Sequence, residues 1–401
     1  MNEIDALVPR LNRFQRWSLI GGIGALILSL AGAFFDLERF FQTYLFGYLF
    51  WLQIALGCLI FLMLHHLAGG RWSFAIRRLL EAAAMTLPLL ALLFAPILFG
   101  LPILYPWARS ETVAASELLQ HKSPYLNVPF FIGRAIVYFI VWAGSAYLLN
   151  RWSAQQDKID NPARLTRRFR IGSSLGLVFL GLTLTFAAID WMMSLEPLWF
   201  STMYGFIFVS GALAAGLAFI IIPASILAYR SSLAEIPANR LFNDLGNFLL
   251  AAVMFWAYIA ISQYLIIWSG NLPEEIPWYI HRSEGGWQWV VIVLTVSHFL
   301  IPFLLLLSRS VKRKAAVLTA IAGLVVLARL VDLFWLVKPA FNPSQFSVHW
   351  LDLVIPFGLG GVWIAVFIWQ LKTKPLLAVY DPRIGPEVLK HGPEEVRGGL
   401  Y

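Results

Sequence analysis

The sequence predicts an all-α, polytopic membrane protein with about ten transmembrane helices. Three observations predict it: 59% of the residues are hydrophobic, only 13% are charged, and the apolar residues gather into ten windows of ~20 residues. Mean hydropathy is +0.73, and soluble domains carry about twice this share of charge. Seventeen Trp and thirteen Tyr suit anchoring at the two membrane interfaces. A net charge of +8 would suggest nucleic acid in a soluble chain. Here it is better explained by basic loops that fix topology, so the expected partner is the lipid bilayer and not nucleic acid.

The windows fall at 17–35, 42–64, 79–104, 129–149, 171–192, 203–229, 241–268, 289–308, 315–337 and 348–371. Arg10, Arg13 and Arg16 precede the first, which is too long for a signal-peptide core despite Ala31-Gly32-Ala33, so it reads as a retained helix. The second holds Cys58, the sole cysteine, and ends at His65-His66. The third opens near Glu81, and the fourth carries Arg134. The fifth reaches Asp190, with Glu196 just beyond and Pro197 stopping the helix. The seventh bears a thin polar stripe, Asp244, Asn247, Ala251, Phe255, Tyr258 and Ser262, at three- and four-residue spacing. The eighth holds His298, the ninth the i,i+3 pair Arg329 and Asp332, and the tenth opens at Asp352. The chain thus divides into an N-terminal segment 1–16, a ten-helix domain 17–371 and a four-proline tail 372–401.

Lys and Arg orient the bundle. One side holds 23 of the 30, the other five, and Arg134 and Arg329 lie within helices. Both termini are therefore expected in the cytoplasm. The long non-cytoplasmic loops, Tyr105 to Val128 and Asn271 to Gln288, offer docking surface outside the membrane. No internal repeat is evident, but the count permits two four-helix bundles, spans 2–5 and 6–9, plus two flanking helices.

A rise of ~1.5 Å per residue turns position into depth. Arg134 lies ~8 Å and His298 ~13 Å below the outer edge, with Arg329 roughly two-thirds of the way across. Asp190, Glu196, Asp332 and Asp352 join this outer layer, and Glu81, Asp244, Asn243, Asn247, His65 and His66 form a smaller cytoplasmic one. Ionisable groups inside a membrane point by default to a substrate or proton route. Each also has a plainer reading. Arg329–Asp332 can be a pair that orders the bundle, His298 a hydrogen-bonded interior residue, and Glu81 and Asp244 complements to helix dipoles.

Several chemistries are excluded. One cysteine rules out a disulfide framework, a cysteine-ligated iron–sulfur cluster and a C-x-x-C-H haem attachment. Only His298 lies well inside the hydrocarbon, which argues against membrane haem, and metal-ligand spacing and a Gly-rich nucleotide loop are lacking. Redox chemistry would involve a diffusible quinone or cofactors on partner subunits.

Four runs carry a family resemblance: Asp190-Trp-Met-Met-Ser-Leu-Glu-Pro, continuing through Trp199-Phe-Ser-Thr; Pro124-Tyr-Leu-Asn-Val-Pro-Phe-Phe-Ile-Gly-Arg134; Leu64-His-His-Leu-Ala-Gly-Gly-Arg-Trp72; and Ser262-Gln-Tyr-Leu-Ile-Ile-Trp-Ser-Gly-Asn-Leu-Pro-Glu-Glu-Ile-Pro-Trp278. Together the chain resembles the large membrane subunits of alternative complex III, polysulfide-reductase-type (NrfD-like) proteins, and its length and Trp268-Ser-Gly-Asn-Leu-Pro-Glu-Glu favour the second of two paralogues. The resemblance implies a quinol:electron acceptor oxidoreductase in the bacterial inner membrane. It further implies a second ten-helix paralogue, an iron–sulfur subunit, and multihaem and monohaem c-type cytochrome subunits as partners. Menaquinol would serve the complex, and haem c and iron–sulfur clusters would sit on those partners. Quinol oxidation is assigned mainly to the other paralogue, and support with a proton route to this one.

The resulting expectation is a cofactor-free membrane subunit. Arg134, Asp190, Glu196, His298, Arg329, Asp332 and Asp352 would form one polar cavity near the outer face. Glu81, Asp244 and Asn247, with His65 and His66, would form a cytoplasmic half-channel, and Tyr258 would link the two. A variant places a quinone head group beside Asp190, Arg134 and His298. The rivals are a passive assembly scaffold and a secondary transporter, which would require inverted repeats with breaks at mid-membrane depth.

Overall fold

The structure, a computed structural model, describes residues 3–69, 71–158, 163–228 and 238–376. Most of the four-proline tail, with Pro382, Pro386 and Pro393, lies outside the described residues. Among the described residues, ten helices are long and apolar enough to cross a membrane: α1 (Val8–Phe35), α2 (Leu37–Ala68), α3 (Arg77–Phe99), α4 (Val128–Gln156), α5 (Leu165–Leu195), α6 (Tyr204–Leu227), α7 (Ala238–Gly270), α8 (Trp287–Leu307), α9 (Ala315–Ala340) and α10 (Leu351–Leu371). The chain is a multi-pass membrane protein. Ten crossings return it to its starting face, here termed the terminal face; the long connections at 105–127 and 271–286 occupy the opposite, loop face.

Helices α2–α5 pack as one ring and α6–α9 as another, with α2 against α6 as the main seam between them. The two four-helix bundles expected from the count are thus present. Helices α1 and α10 pair with each other and flank the rings, α10 resting on α2. Alpha-helix is the available solution, because every backbone group in the hydrocarbon must find its partner within its own segment. Breaks occur where sequence forces them. Pro88 and Pro96 divide α3 into Arg77–Ala84, Leu87–Leu93 and Ala95–Phe99.

Small residues set the seams. A Cβ on Gly57 of α2 would lie 1.9 Å from the Ala212 carbonyl oxygen of α6, and one on Gly216 would lie 2.7 Å from the Gly57 carbonyl carbon. Without side chains the two backbones touch, the packing that membrane helices use where no hydrophobic driving force separates helix from lipid. Gly22 and Gly361 bring α1 and α10 together in the same manner: a Cβ on Gly361 would meet the Ser18 oxygen at 2.5 Å. The rest of α1 stays largely uncovered, with Phe14, Trp17, Ile20, Ile23 and Ile27 exposed.

Two boundaries differ from expectation. The first helix begins at Glu3, so Arg10, Arg13 and Arg16 ride on helical turns and not on a separate N-terminal segment. The α-helical part of α5 ends at Trp191, before Pro197, where Ser194 Oγ donates to the Asp190 carbonyl at 2.5 Å and the last residues of the span tighten into a 3₁₀ turn at Met193–Leu195.

Candidate functional site

The polar residues expected to share one outer cavity are distributed over four separate ties. In the first, Arg134 of α4 grips Asp190 of α5 with two parallel bonds, Nε to Oδ2 at 2.8 Å and Nη2 to Oδ1 at 2.9 Å. Tyr138 Oη donates to the same carboxylate at 2.6 Å. The guanidinium is capped by the rings of Tyr125 and Phe130, at 3.9 and 4.4 Å. Asp190 thus accepts three hydrogen bonds, and the neighbouring Trp191 packs against Trp142, Phe139 and Phe94. This pair fastens α4 to α5 and does not meet His298. Asp190→Asn would leave Arg134 without its counter-charge, and is expected to cost about 3–5 kcal/mol, read as a lowered melting temperature in detergent.

Glu196 makes the second tie, accepting from Arg282 Nη2 at 2.7 Å, with His281 at 3.6 Å. Arg282 lies 3.7 Å from the Trp278 ring and also donates to the Leu336 carbonyl at 3.0 Å. Asp352 makes the third. It accepts from Thr43 Oγ1 at 2.6 Å, lies 2.7 Å from Lys338 Nζ and takes the His349 amide at 2.8 Å, so it knots α2, α9 and α10 together.

The fourth lies between the bundles. Arg329 of α9 donates to Asp332 on its own helix and, through Nη2, to Gln53 Oε1 of α2 at 2.7 Å. Trp256 Nε1 of α7 donates to Asp332 Oδ2 at 3.0 Å. His298 packs its ring against Trp256, centroids 3.9 Å apart, and neither imidazole nitrogen has a hydrogen-bond partner. Space for the guanidinium comes from Gly211 of α6, where a Cβ would lie 2.2 Å from Arg329 Nη2. His298 is turned inward by a π-helical turn, Thr295–Leu300, inside α8. An extra residue in one turn re-aims the side chains on either side of it, and such turns gather at functional sites.

Asp332 and Trp256 also line a cavity of about 290 Å³ in the α6–α9 bundle. Its walls are aromatic (Trp278, Tyr279, Trp335, Phe299), and Ile261, Tyr264 and Val291, all exposed, form a lip between α7 and α8. The Arg282–Glu196 tie braces the Trp278 wall from behind. Burial raises the Tyr279 phenol well above its usual range, so it remains a neutral donor. A cavity with apolar walls, one carboxylate and a few hydroxyls is suited to a flat, largely apolar ligand with polar ends.

On the terminal face, Glu81 of α3 is held by Arg77 Nε at 3.0 Å, Arg78 Nη1 at 2.9 Å, Ser153 Oγ at 2.6 Å and Lys374 Nζ at 3.2 Å. Arg78 reaches on to Asp157. Burial pulls the Lys374 ammonium below its usual range, with Glu81 opposing the shift. His65 meets Ser73, and His66 stacks on Phe169 at 4.1 Å, in the same bundle. Asp244 and Asn247 belong to the other bundle, where Asn247 accepts from Lys312 Nζ at 2.7 Å. Tyr258 is 66% exposed on the outer surface of α7. The stripe of α7 therefore runs along the margin of the bundle, with Asn247, Ala251 and Tyr258 exposed and Asp244, Phe255 and Ser262 half-buried, and the buried face runs through Leu245, Leu249, Val253, Trp256 and Gln263. The structure does not bring Glu81, Tyr258 and Asp332 together along one line. Among the described residues, no group of His, Cys, Asp and Glu is placed to hold a metal.

No protein-family model matches the chain, and no curated protein does either. The geometry of the site is accordingly what bears on function.

Sequence reasoning missed Gln53, Gly211 and Trp256, as well as the cations Arg77, Arg78, Arg282, Lys338 and Lys374. Gln53 did carry a signal: it is the lone amide at the middle of an otherwise apolar span.

Proposed function

We propose that the chain is an integral membrane subunit of a quinol:electron acceptor oxidoreductase of the alternative complex III type, without a redox centre of its own. On this reading it lies in a bacterial inner membrane, both termini cytoplasmic. It assembles there with a second paralogue, an iron–sulfur subunit and c-type cytochromes. One observation supports a quinone-facing role in particular: the aromatic cavity between α7 and α8 has a lip of exposed side chains on two membrane-spanning helices and includes a carboxylate in its lining. A ligand dissolved in the bilayer reaches it sideways, and a quinol's hydroxyl finds Asp332 as acceptor while its ring lies between Trp256 and Trp335. His298 packs against the Trp256 ring, with neither of its ring nitrogens hydrogen-bonded. The outward direction of Tyr258 favours this variant over a proton wire spanning the membrane.

The test is purification of the full chain from its native membrane. Co-migrating c-type haem and quinol-dependent reduction of an acceptor are expected; a chain that purifies alone and free of haem would overturn the assignment. The cavity is tested separately. Ile261→Trp fills the lip from an exposed position, and should weaken quinol binding, followed by quenching of tryptophan fluorescence, by about tenfold or more. Unchanged quenching would remove the cavity from the proposal.

A further inference from the structure

Several buried or half-buried cations have a carboxylate beside them: Arg134 with Asp190, Arg282 with Glu196, Arg329 with Asp332, Lys338 with Asp352, and Arg77, Arg78 and Lys374 with Glu81. The terminal-face end of the α1/α10 pair is different. Lys372, at the end of α10, donates only to amide oxygens, Asn12 Oδ1 and Gln15 Oε1, each at 2.5 Å. Those two residues share a face of α1, one turn apart, so Lys372 clamps the helices while bringing its charge beside Arg16. Partial burial and that neighbouring guanidinium both pull the Lys372 ammonium below its usual range. Among the described residues, none of Arg10, Arg13, Arg16 and Lys372 has an ion-pair partner. Like charges gathered at the rim of a low-dielectric layer repel one another, and an anion placed among them relieves this.

The surface below the cations identifies the anion. Phe14, Trp17 and Ile20, on the following turns of α1, are exposed, and farther along Ile23 and Ile27 are exposed as well. From the terminal face inward the surface therefore reads basic, then aromatic, then aliphatic. That is the profile of a phospholipid: phosphate, glycerol ester, acyl chain. A second cationic group, Arg309, Arg313 and Lys314, sits in the turn between α8 and α9 and serves as a matched comparison.

We propose that the terminal-face end of the α1/α10 pair binds one anionic phospholipid, its phosphate held by Arg13, Arg16 and Lys372 and its chains lying along Trp17 and Ile20. Guanidinium and ammonium groups give charge-assisted bonds to phosphate oxygens, and the apolar ledge fixes where the lipid sits.

The experiment uses the purified full chain, delipidated in detergent and titrated with phosphatidylglycerol or phosphatidylcholine, with bound lipid counted by native mass spectrometry and melting temperature followed in parallel. Phosphatidylglycerol is expected to bind saturably and raise the melting temperature, and phosphatidylcholine is not. Arg13→Gln with Arg16→Gln, both exposed and so removable without loss of fold, should weaken phosphatidylglycerol binding by about tenfold or more. Lys372→Gln should weaken it as well. Arg309→Gln with Arg313→Gln removes the same charge elsewhere and should leave binding intact. Equal binding of both lipids, unaltered binding in the Arg13/Arg16 variant, or equal loss in the comparison variant would each overturn the proposal.

Discussion

Gly57→Val is expected to leave almost no folded chain in detergent-solubilised membranes. The added atoms would enter the α2/α6 seam where Ala212 O already stands 1.9 Å from the first of them and the Gly216 Cα 3.1 Å. Both neighbours are backbone, so no rotamer change relieves the overlap. Overpacking a core ordinarily costs about 1–3 kcal/mol, and more where only whole-helix movement makes room. Here that movement would part the two bundles and pull Gln53, one turn away on α2, from Arg329. Even Gly57→Ala should therefore lower the melting temperature markedly. Gly144→Ala and Gly181→Ala, whose new Cβ would meet nothing within 4 Å, should leave it unchanged. Size-exclusion profile and thermal inactivation of the three alanine variants check the contrast.

Asp332→Asn should cost about 3–5 kcal/mol, since it leaves the Arg329 charge buried and unmatched. The guanidinium is fully buried, packed against Gly211 and bonded to Gln53. A stability loss alone would not separate a structural ion pair from a ligand site. The double variant Arg329→Met with Asp332→Leu does so, because replacing a buried pair by apolar residues of similar volume is often neutral or stabilising. We expect this variant to fold and to melt near the parent temperature, yet to lose quinol-dependent tryptophan quenching. Retained quenching in a well-folded double variant would assign the pair to packing only.

How much was legible follows from which forces act at one residue and which need two. Span number, span order and the two four-helix rings could be read from hydropathy and chain length, because burial in lipid is a property of each segment taken singly. Depth was legible for the same reason, and Arg329, Asp332 and His298 do share a layer. Direction around the helix was not. Asp244, Asn247 and Tyr258 form a real stripe on α7, but spacing leaves open whether a stripe faces a bundle, a partner or lipid, and this one runs along the bundle's margin with Tyr258 outermost. The polar groups of the outer layer were expected to converge on one cavity. Asp190 and Asp332 instead paired within that set, with Arg134 and Arg329, while Glu196 and Asp352 found partners that the sequence hides among unlike neighbours: Arg282 in a loop and Lys338 at a helix end. A charge in a low-dielectric interior is satisfied by whichever opposite charge the fold brings within about 3 Å, and that depends on seams such as Gly57–Gly216, which hydropathy does not register.

The pairing of α1 with α10 fixes an order of events during biosynthesis. Of these ten spans, α1 finds its close-fitting glycine groove on α10, some 340 residues later. Until then it has the lesser contact with α2, so it waits in lipid while both rings close around the α2/α6 axis. Loss of α10 by premature termination would thus strand α1 as well, and a quality-control protease would meet two unanchored ends where only one was cut.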